Sequence, residues 1–326
     1  MNEAKTISVV MAASDFYAHT PELFQSLDAQ VTDDFHTVVV DDGSSEGCDL
    51  RAHDRAMVLR NMKRLGFSRA LNQALLLTLT KWEGEDLEHK YICLIQPDII
   101  LHEEALVRLR QALEDQPGLM VVAPTILRAA RAKGIEEEWE LAFSDDILYR
   151  GFAITKSREI RWMKEGQLNF APAPDCFMVR ASLLLKLQEG KTIVDESFRR
   201  IPALIELLWR IKLYGGRMAC IPDALAWKQQ AQSSETKLRD EIQYDKSTRL
   251  ELHDVHVKLS PNTLRMRQAP WLFIGWIKRF FLVLFAPSLW GAYLHKPMRH
   301  FRVAKQRSKR FARAGMRSAQ MKDWFV

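Results

Sequence analysis

The chain has 326 residues, of which 47% are hydrophobic and 27% charged, so it is long enough to bury one large core or two modest ones. Its 14 glycines and 12 prolines are too few for a collagen-like, low-complexity or broadly disordered protein. The four cysteines form no Cys-x-x-Cys pair, which argues against a zinc or disulfide scaffold and favours a reducing, cytoplasmic environment.

The first half of the chain alternates short apolar runs with segments of helical spacing. The predicted strands are residues 7–11, 37–40, 57–60 and 91–95, and the predicted helices are residues 21–30, 68–79 and 103–116. Strands that alternate with helices predict an α/β fold with a largely parallel sheet and crossover connections.

Further strands and helices are predicted beyond this region. They are a strand at 119–123, a charged excursion of weak periodicity at 128–167, a strand at 175–179, a helix from 181 and a helix at 201–214. Ligands of such sheets bind beyond the carboxyl ends of the strands, where Asp41, Asp42 and Asp98 stand in this sequence. These acids are therefore the first candidates for a functional site.

The net charge of +6 is unevenly distributed. Residues 258–326 contain 15 Lys or Arg and one acid, Asp323, a formal charge of +14 that leaves −8 for residues 1–257. Residues 270–294 are rich in aromatic and apolar side chains, but Lys278, Arg279 and Pro287 interrupt the run that a spanning helix needs. We expect helices lying in an anionic membrane surface, with a core helix pair and a solvated tail as the alternative.

Six motifs occur in a characteristic order. They are VVVDDGSS at 38–45, LGFSRALNQAL at 65–75, CLIQPDIIL at 93–101, CFMVRASLL at 176–184, VDESF at 194–198 and IPDA at 221–224. Over residues 5–230 the chain resembles the inverting family 2 glycosyltransferases, particularly a bacterial branch similar to rhamnosyltransferases. The resemblance implies a GT-A domain at 1–230, which we expect to be followed by a helical linker at 231–269 and a membrane-associating tail at 270–326.

The resemblance also implies a UDP- or dTDP-sugar donor, a lipid-linked glycan acceptor and a Mg²⁺ or Mn²⁺ ion held by Asp98. As an alternative, Asp98 could cap the helix that follows it. The residues expected to bind the donor are Ala13, Asp41, Arg64, Gly66, Asn72 and Lys228. Two of these have open alternatives, since Asp41 could simply cap a turn and Arg64 could be a surface charge.

The catalytic base that the family carries is missing from the expected place. Ala203 and Leu204 stand where the family has a Glu-Asp pair, so Glu206 and Asp175 are the remaining candidates for the base. Glu206 lies two residues beyond Leu204, which is about 200° around the helix, so it points in nearly the opposite direction unless the backbone shifts. Asp175 could instead be only a strand-end turn residue. Lys228 replaces a family histidine and could neutralise the donor diphosphate directly.

Two functions remain open on these residues. The first is a cytoplasmic transferase at the inner face of the membrane, which adds a sugar to a lipid-linked saccharide in surface polysaccharide assembly. The second is a catalytically inactive relative that acts as a binding or scaffolding subunit. Nucleic-acid binding is disfavoured, because the basic tail lies beside an apolar aromatic block and contains no recognisable nucleic-acid module.

Overall fold

The computed structural model describes residues 5–14, 20–45, 56–133, 139–154, 160–164 and 171–230, together with the helical positions Ile274, Ile277 and Phe281. The predicted linker at 231–269 and the remainder of the predicted tail at 270–326 lie outside the described residues. Within the described part of the chain, no helix combines the length and the apolar run needed to cross a bilayer.

Twelve strands and five helices are formed by the described residues. The strands are β1 (Ile7–Ala13), β2 (Phe35–Asp41), β3 (Ala56–Arg60), β4 (Tyr91–Ile95), β5 (Ile99–Leu101), β6 (Leu119–Lys133), β7 (Trp139–Tyr149), β8 (Gly151–Ile154), β9 (Ile160–Met163), β10 (Ala171–Pro172), β11 (Cys176–Arg180) and β12 (Arg217–Gln230). The helices are α1 (Thr20–Asp28), α2 (Phe67–Lys81), α3 (Ala105–Asp115), α4 (Ala181–Leu187) and α5 (Arg200–Leu213).

The main sheet is mixed, so the expectation of a largely parallel sheet is wrong in its second half. Its strand order is β3-β2-β1-β4-β11-β6-β12-β5, with β7 paired to β6. Strands β1 to β4 are parallel, whereas β11 runs antiparallel to both β4 and β6. The inserted β11 therefore brings the residues at its N-terminal end to the edge of the sheet where the parallel strands end.

Helices cover both faces of this sheet. On one face, α1 contributes Leu27 and α3 contributes Leu109 to one hydrophobic cluster. On the other face, α2, α4 and α5 contribute Leu71, Leu184 and Leu208 to a second cluster. The central strand β1 is buried along both faces, with Val9 and Val10 fully inaccessible to solvent. Such a continuous apolar run is typical of a strand covered on both sides.

The charged segment at 128–167 contains strands rather than an irregular excursion. Strand β6 extends to Lys133 and pairs antiparallel with β7, and β8, β9 and β10 form a separate three-stranded sheet. Because Phe143 and Trp162 remain exposed, these strands lack the simple alternation of apolar and polar residues that marks a half-buried strand.

Buried His36 makes the stability of this fold depend on pH. Burial and the nearby charges of Lys81, Lys90 and Lys5 lower the pKa of His36 from 6.5 to about 4. The unfolded chain therefore takes up a proton as the pH falls below 6.5, whereas the folded chain resists protonation until about pH 4. The free energy of unfolding is expected to fall by about 3 kcal/mol across this window on account of His36 alone.

The measurement is urea unfolding at pH 7 and pH 4.5 of the wild type and of His36→Phe. The variant is expected to lose most of the difference between the two pH values, while His89→Gln, which changes an exposed histidine, keeps it. An equal pH dependence in wild type and His36→Phe would contradict this account.

Candidate functional site

The carboxyl ends of β1, β2 and β4 meet at one edge of the sheet. Ala13, the last residue of β1, lies beside Asp41, the last residue of β2. On the other side of β1, Val10 lies beside Leu94, so β4 reaches the same edge shortly before Asp98. Two strand spacings place the ends of β2 and β4 about 10 Å apart, which is a distance that an elongated ligand can bridge.

Asp41 holds the turn that follows β2. Its Oδ1 accepts hydrogen bonds from the backbone N–H of Ser44 at 3.1 Å and from the Ser44 hydroxyl. Its Oδ2 lies 3.4 Å from Arg60 Nε. The turn-capping role considered for Asp41 is therefore present in the fold, with one carboxylate oxygen committed to the turn.

Asp42 carries a role that the sequence did not distinguish from that of Asp41. Its Oδ1 accepts from the Leu65 N–H at 2.8 Å and from Asn61 Nδ2 at 3.0 Å, and its Oδ2 accepts from the Gly66 N–H at 2.8 Å. The buried carboxylate thereby fixes the loop in front of α2, where Gly66 has a φ of 98°. A Cβ at Gly66 would meet no atom within 4 Å, so open space adjoins this glycine.

Gly43 brings the turn against the same loop. A Cβ at this position would lie 2.6 Å from the backbone nitrogen of Arg64 and 2.6 Å from the carbonyl carbon of Lys63. Both of these cationic residues are exposed. The close approach therefore places two basic side chains beside the turn, where a phosphate could be bound.

A cluster of charged side chains is formed by Asp98, which precedes β5, Asp175, which precedes β11, and Lys228 of β12. Lys228 Nζ is 3.7 Å from Asp98 Oδ2 and donates a hydrogen bond to Asp175 Oδ1. The Tyr149 hydroxyl donates to the other oxygen of Asp175, at 2.9 Å. Asp98 is therefore paired with Lys228, and helix α3, which it was considered to cap, has Glu104 at its N-cap position instead.

The charges of this cluster perturb its protonation equilibria. Desolvation lowers the pKa of Lys228, but the carboxylates of Asp175 and Asp98 outweigh it and hold that pKa well above its usual value. Desolvation, reinforced by Asp175, raises the pKa of Tyr149 well above its usual value. At neutral pH, Lys228 is an ammonium and Tyr149 a hydrogen-bond donor.

The residues do not fit the predicted divalent metal ion. Asp98 and Asp175 supply the oxygen ligands that Mg²⁺ or Mn²⁺ prefers, but the ammonium of Lys228 is paired with both and has no lone pair to donate. Within the described residues there is no group of three His, Cys, Asp or Glu side chains placed to hold a metal. The role predicted for Asp98 as a metal ligand therefore conflicts with its surroundings.

Asn72, predicted to bind the donor, is committed to the fold. Its Oδ1 accepts from the backbone N–H groups of Ile193 and Val194 at 2.9 and 2.8 Å, and its Nδ2 donates to the Val194 carbonyl at 2.8 Å. The amide is buried and anchors the chain that leads into the VDESF motif. Asn72 thus positions this segment, and its predicted role in donor binding stays a prediction.

Glu206, predicted as a candidate base, is buried within the core. Its carboxylate is fully inaccessible to solvent, and its Oε2 accepts from Arg210 Nε at 2.9 Å. Arg210 also donates to the carbonyls of Leu187 and Ile193. A base must reach the acceptor hydroxyl, so this placement argues against Glu206.

Asp175, the other candidate base, is also almost inaccessible to solvent, and each of its oxygens already accepts a hydrogen bond. To act as a base it would first have to release Tyr149 or Lys228.

An aromatic pair borders the Lys228 cluster. Tyr149, which donates to Asp175, stacks on Trp162 with 4.5 Å between ring centroids, and Trp162 is 42% exposed. Exposed rings beside polar groups suit a ligand with both apolar and polar faces.

Comparison with known proteins gives a family and a fold. Residues 8–187, more than half of the chain, match the family described as Glycosyl transferase family 2. The structure resembles that of GalNAc-T7 with UDP, GalNAc and Mn²⁺ at a TM-score of 0.57 and 14% identity, covering 80% of this chain and 49% of that one. It also resembles Staphylococcus aureus TarS 1-349 in complex with UDP, at a TM-score of 0.47 and 14% identity, covering 78% and 70%.

The chain therefore spans about half the length of the GalNAc-T7 chain. The likeness to GalNAc-T7 supports a GT-A-like α/β fold with a mixed sheet. No curated protein matches the sequence.

Proposed function

Because the chain belongs to glycosyl transferase family 2, we propose that it transfers a sugar from a UDP- or dTDP-linked donor to an acceptor hydroxyl, with inversion at the anomeric carbon. The observation that carries the proposal is the shared edge of the sheet, where the Asp41 turn, the Gly66 loop and the Asp98–Lys228 pair stand together. This is the edge at which α/β sheets bind their ligands. The rhamnosyltransferase-like branch remains a prediction.

The elements of this edge suit the parts of such a donor. The nucleoside would lie over the ends of β1 and β2, at Ala13 and Asp41, with the open space at Gly66 allowing close approach. The diphosphate would extend towards β4, with Arg64 on the loop beside it. The sugar would then reach the aromatic rings around Asp175, where the acceptor hydroxyl attacks from the opposite face.

A donor-turnover assay tests this proposal. The full chain is incubated with UDP- and dTDP-sugars and with lipid extract, and release of UDP or dTDP is measured. Asp42→Asn is expected to reduce release at least about tenfold, because an amide N–H₂ replaces an oxygen that accepts from the Leu65 or Gly66 N–H. Asp86→Asn, at an exposed acid of the pair with His89, is the matched control. Equal release by wild type and Asp42→Asn would contradict the proposed location of the site.

The proposed acceptor is a lipid-linked saccharide at the cytoplasmic face of the membrane, for assembly of cell-surface polysaccharide. The basic tail would bind anionic headgroups and hold the site near the acceptor. Ile274, Ile277 and Phe281 have helical spacing that places them on one face, and they are 41%, 36% and 51% exposed. Flotation with liposomes of anionic lipid tests this part, and a chain that stays unbound at physiological salt would contradict it.

A second function is favoured by the burial of Glu206 and by Ala203 and Leu204 in the place of the expected base. Such a chain would bind the donor without turning it over and would act as a binding or scaffolding subunit. Donor binding without release of UDP or dTDP in the same assay would favour this function. Sugar transfer would exclude it.

A further inference from the structure

We propose that Lys228 takes the place of the divalent metal ion, so that the chain binds its nucleoside diphosphate donor without a metal. The inference rests on the proposed function, since it concerns the donor of the same site. It concerns a single position of the fold, the gap between Asp98 and Asp175, which the Lys228 ammonium occupies.

The backbone fixes the lysine in this gap. Lys228 lies beside Ile99 in the β12–β5 pairing, and the N–H of the next residue, Gln229, donates to the Asp98 carbonyl at 2.9 Å. On the other side, the Gln96 N–H donates to the Asp175 carbonyl at 2.9 Å. Strand pairing thus holds the backbone of both acids and of the lysine, and the two carboxylates hold the ammonium between them.

A metal ion would have to displace this ammonium. The ammonium donates to Asp175, which is 1% exposed, so its displacement would break a buried ion pair. A metal entering between the two acids would also stand within a few ångströms of the lysine charge, which repels it. Lys228 therefore excludes a divalent cation from the space between Asp98 and Asp175.

The same ammonium can serve the donor. It has three N–H donors, of which Asp175 accepts one, and its side chain is 28% exposed. A phosphate oxygen entering the cleft can accept from it, and its charge would offset the negative charge that builds up on the leaving diphosphate.

The charge balance of the cluster requires further cations. Two carboxylates and one ammonium carry a formal charge of −1, whereas the same acids with a divalent ion would be neutral. The exposed Lys63 and Arg64, held against the turn by Gly43, supply positive charge at the same edge. The cationic side chains of the protein would then supply the positive charge that a metal ion would otherwise supply at the diphosphate.

The experiment is calorimetric titration of UDP and dTDP into the full chain, in EDTA and again with Mn²⁺. The affinity is expected to be the same in both. Lys228→Met is expected to weaken metal-free binding about 30-fold, the effect of losing one charge-assisted hydrogen bond, while Lys228→Arg retains most of it. Lys186→Met is the control, since Lys186 is 66% exposed on α4 and pairs with Glu88.

Loss of Lys228 leaves buried Asp175 without its cation, so the double variant Lys228→Met/Asp175→Asn keeps the comparison valid if the single variant unfolds. Electron paramagnetic resonance of Mn²⁺ added to wild type gives a readout without nucleotide, and no ion bound at this cluster is expected.

Three results would overturn the inference alone: nucleotide binding that requires Mn²⁺, undiminished metal-free binding by both Lys228→Met and the double variant, or Mn²⁺ bound by wild type and lost in Asp98→Asn. Failure of both nucleotides to bind, with EDTA or with Mn²⁺, would overturn the proposed function together with the inference.

Discussion

Arg210→Met is expected to lower the free energy of unfolding by roughly 4 kcal/mol, because it removes the cation of a buried ion pair and leaves the Glu206 carboxylate without this partner in the core. Glu206 is fully inaccessible and its carboxylate accepts from Arg210 Nε at 2.9 Å. Arg210 also donates to the Leu187 and Ile193 carbonyls, so the substitution leaves two buried acceptors without this donor. Urea unfolding monitored by circular dichroism measures the loss.

Two further variants separate charge burial from loss of packing. Glu206→Met combined with Arg210→Met removes both charges, and we expect it to recover a large part of the loss. Lys186→Met provides a surface control that changes stability by less than about 0.5 kcal/mol. An Arg210→Met variant as stable as wild type would show that the pair does not hold α5 in place.

Gly43→Ala is expected to lower the free energy of unfolding by about 3 kcal/mol and to abolish nucleotide binding. Part of the loss is conformational, since Gly43 has a φ of 65°, where a side chain costs about 1 to 2 kcal/mol. The rest is steric, because the new Cβ would lie 2.6 Å from backbone atoms of Lys63 and Arg64. Relief of this contact would push the 61–66 loop away from the turn.

Comparison with Gly190→Ala isolates the steric part of this effect. Gly190 has a φ of 64°, and a Cβ there meets no atom within 4 Å, so only the conformational cost applies. The difference in unfolding free energy between the two variants measures the collision. Equal losses in Gly43→Ala and Gly190→Ala would contradict the close contact between turn and loop.

The strands that position the site were predictable from sequence to within a few residues. Strand β4 at Tyr91–Ile95 is a run of five buried apolar residues, and β1 and β2 are similar runs. Short apolar runs bounded by turn residues are typical of strands covered on both faces, so local sequence predicts them. Asp41 and Asp98 were therefore correctly expected at one edge of the sheet.

The contacts of the site depended on strands that the sequence left ambiguous. Strand β12 contains Pro222 and Asp223, which resemble a turn, and its pairing with β6 shifts register there between Ile221 and Leu225. Tyr149 lies in the charged segment at 128–167, whose weak periodicity does not indicate strands. The ion pair around Asp175 could not be predicted before these pairings were known.

Glu206 shows a different limit. Its spacing of four residues from Arg210 is equally typical of a solvated surface pair, and only the packing of α5 reveals that both side chains are buried. Asn72 likewise matches a binding motif, but its amide is used to anchor Ile193 and Val194. A motif gives the residue type, whereas tertiary contacts determine what that side chain binds.

We propose that a nucleoside diphosphate lies over the Gly66 loop, and calorimetric titration of UDP and dTDP into wild type, Gly66→Ala and Gly190→Ala measures whether it does. Both glycines have positive φ and open space around the added Cβ, but Gly66, with φ 98° and ψ 147°, carries the larger backbone strain, so urea unfolding of both variants is measured alongside to separate strain from lost binding. We predict saturable binding of one nucleotide by wild type and Gly190→Ala, and binding at least about tenfold weaker in Gly66→Ala, where the methyl group occupies space needed by the ligand. Binding of equal strength to Gly66→Ala and Gly190→Ala, or no binding to wild type, would contradict the claim.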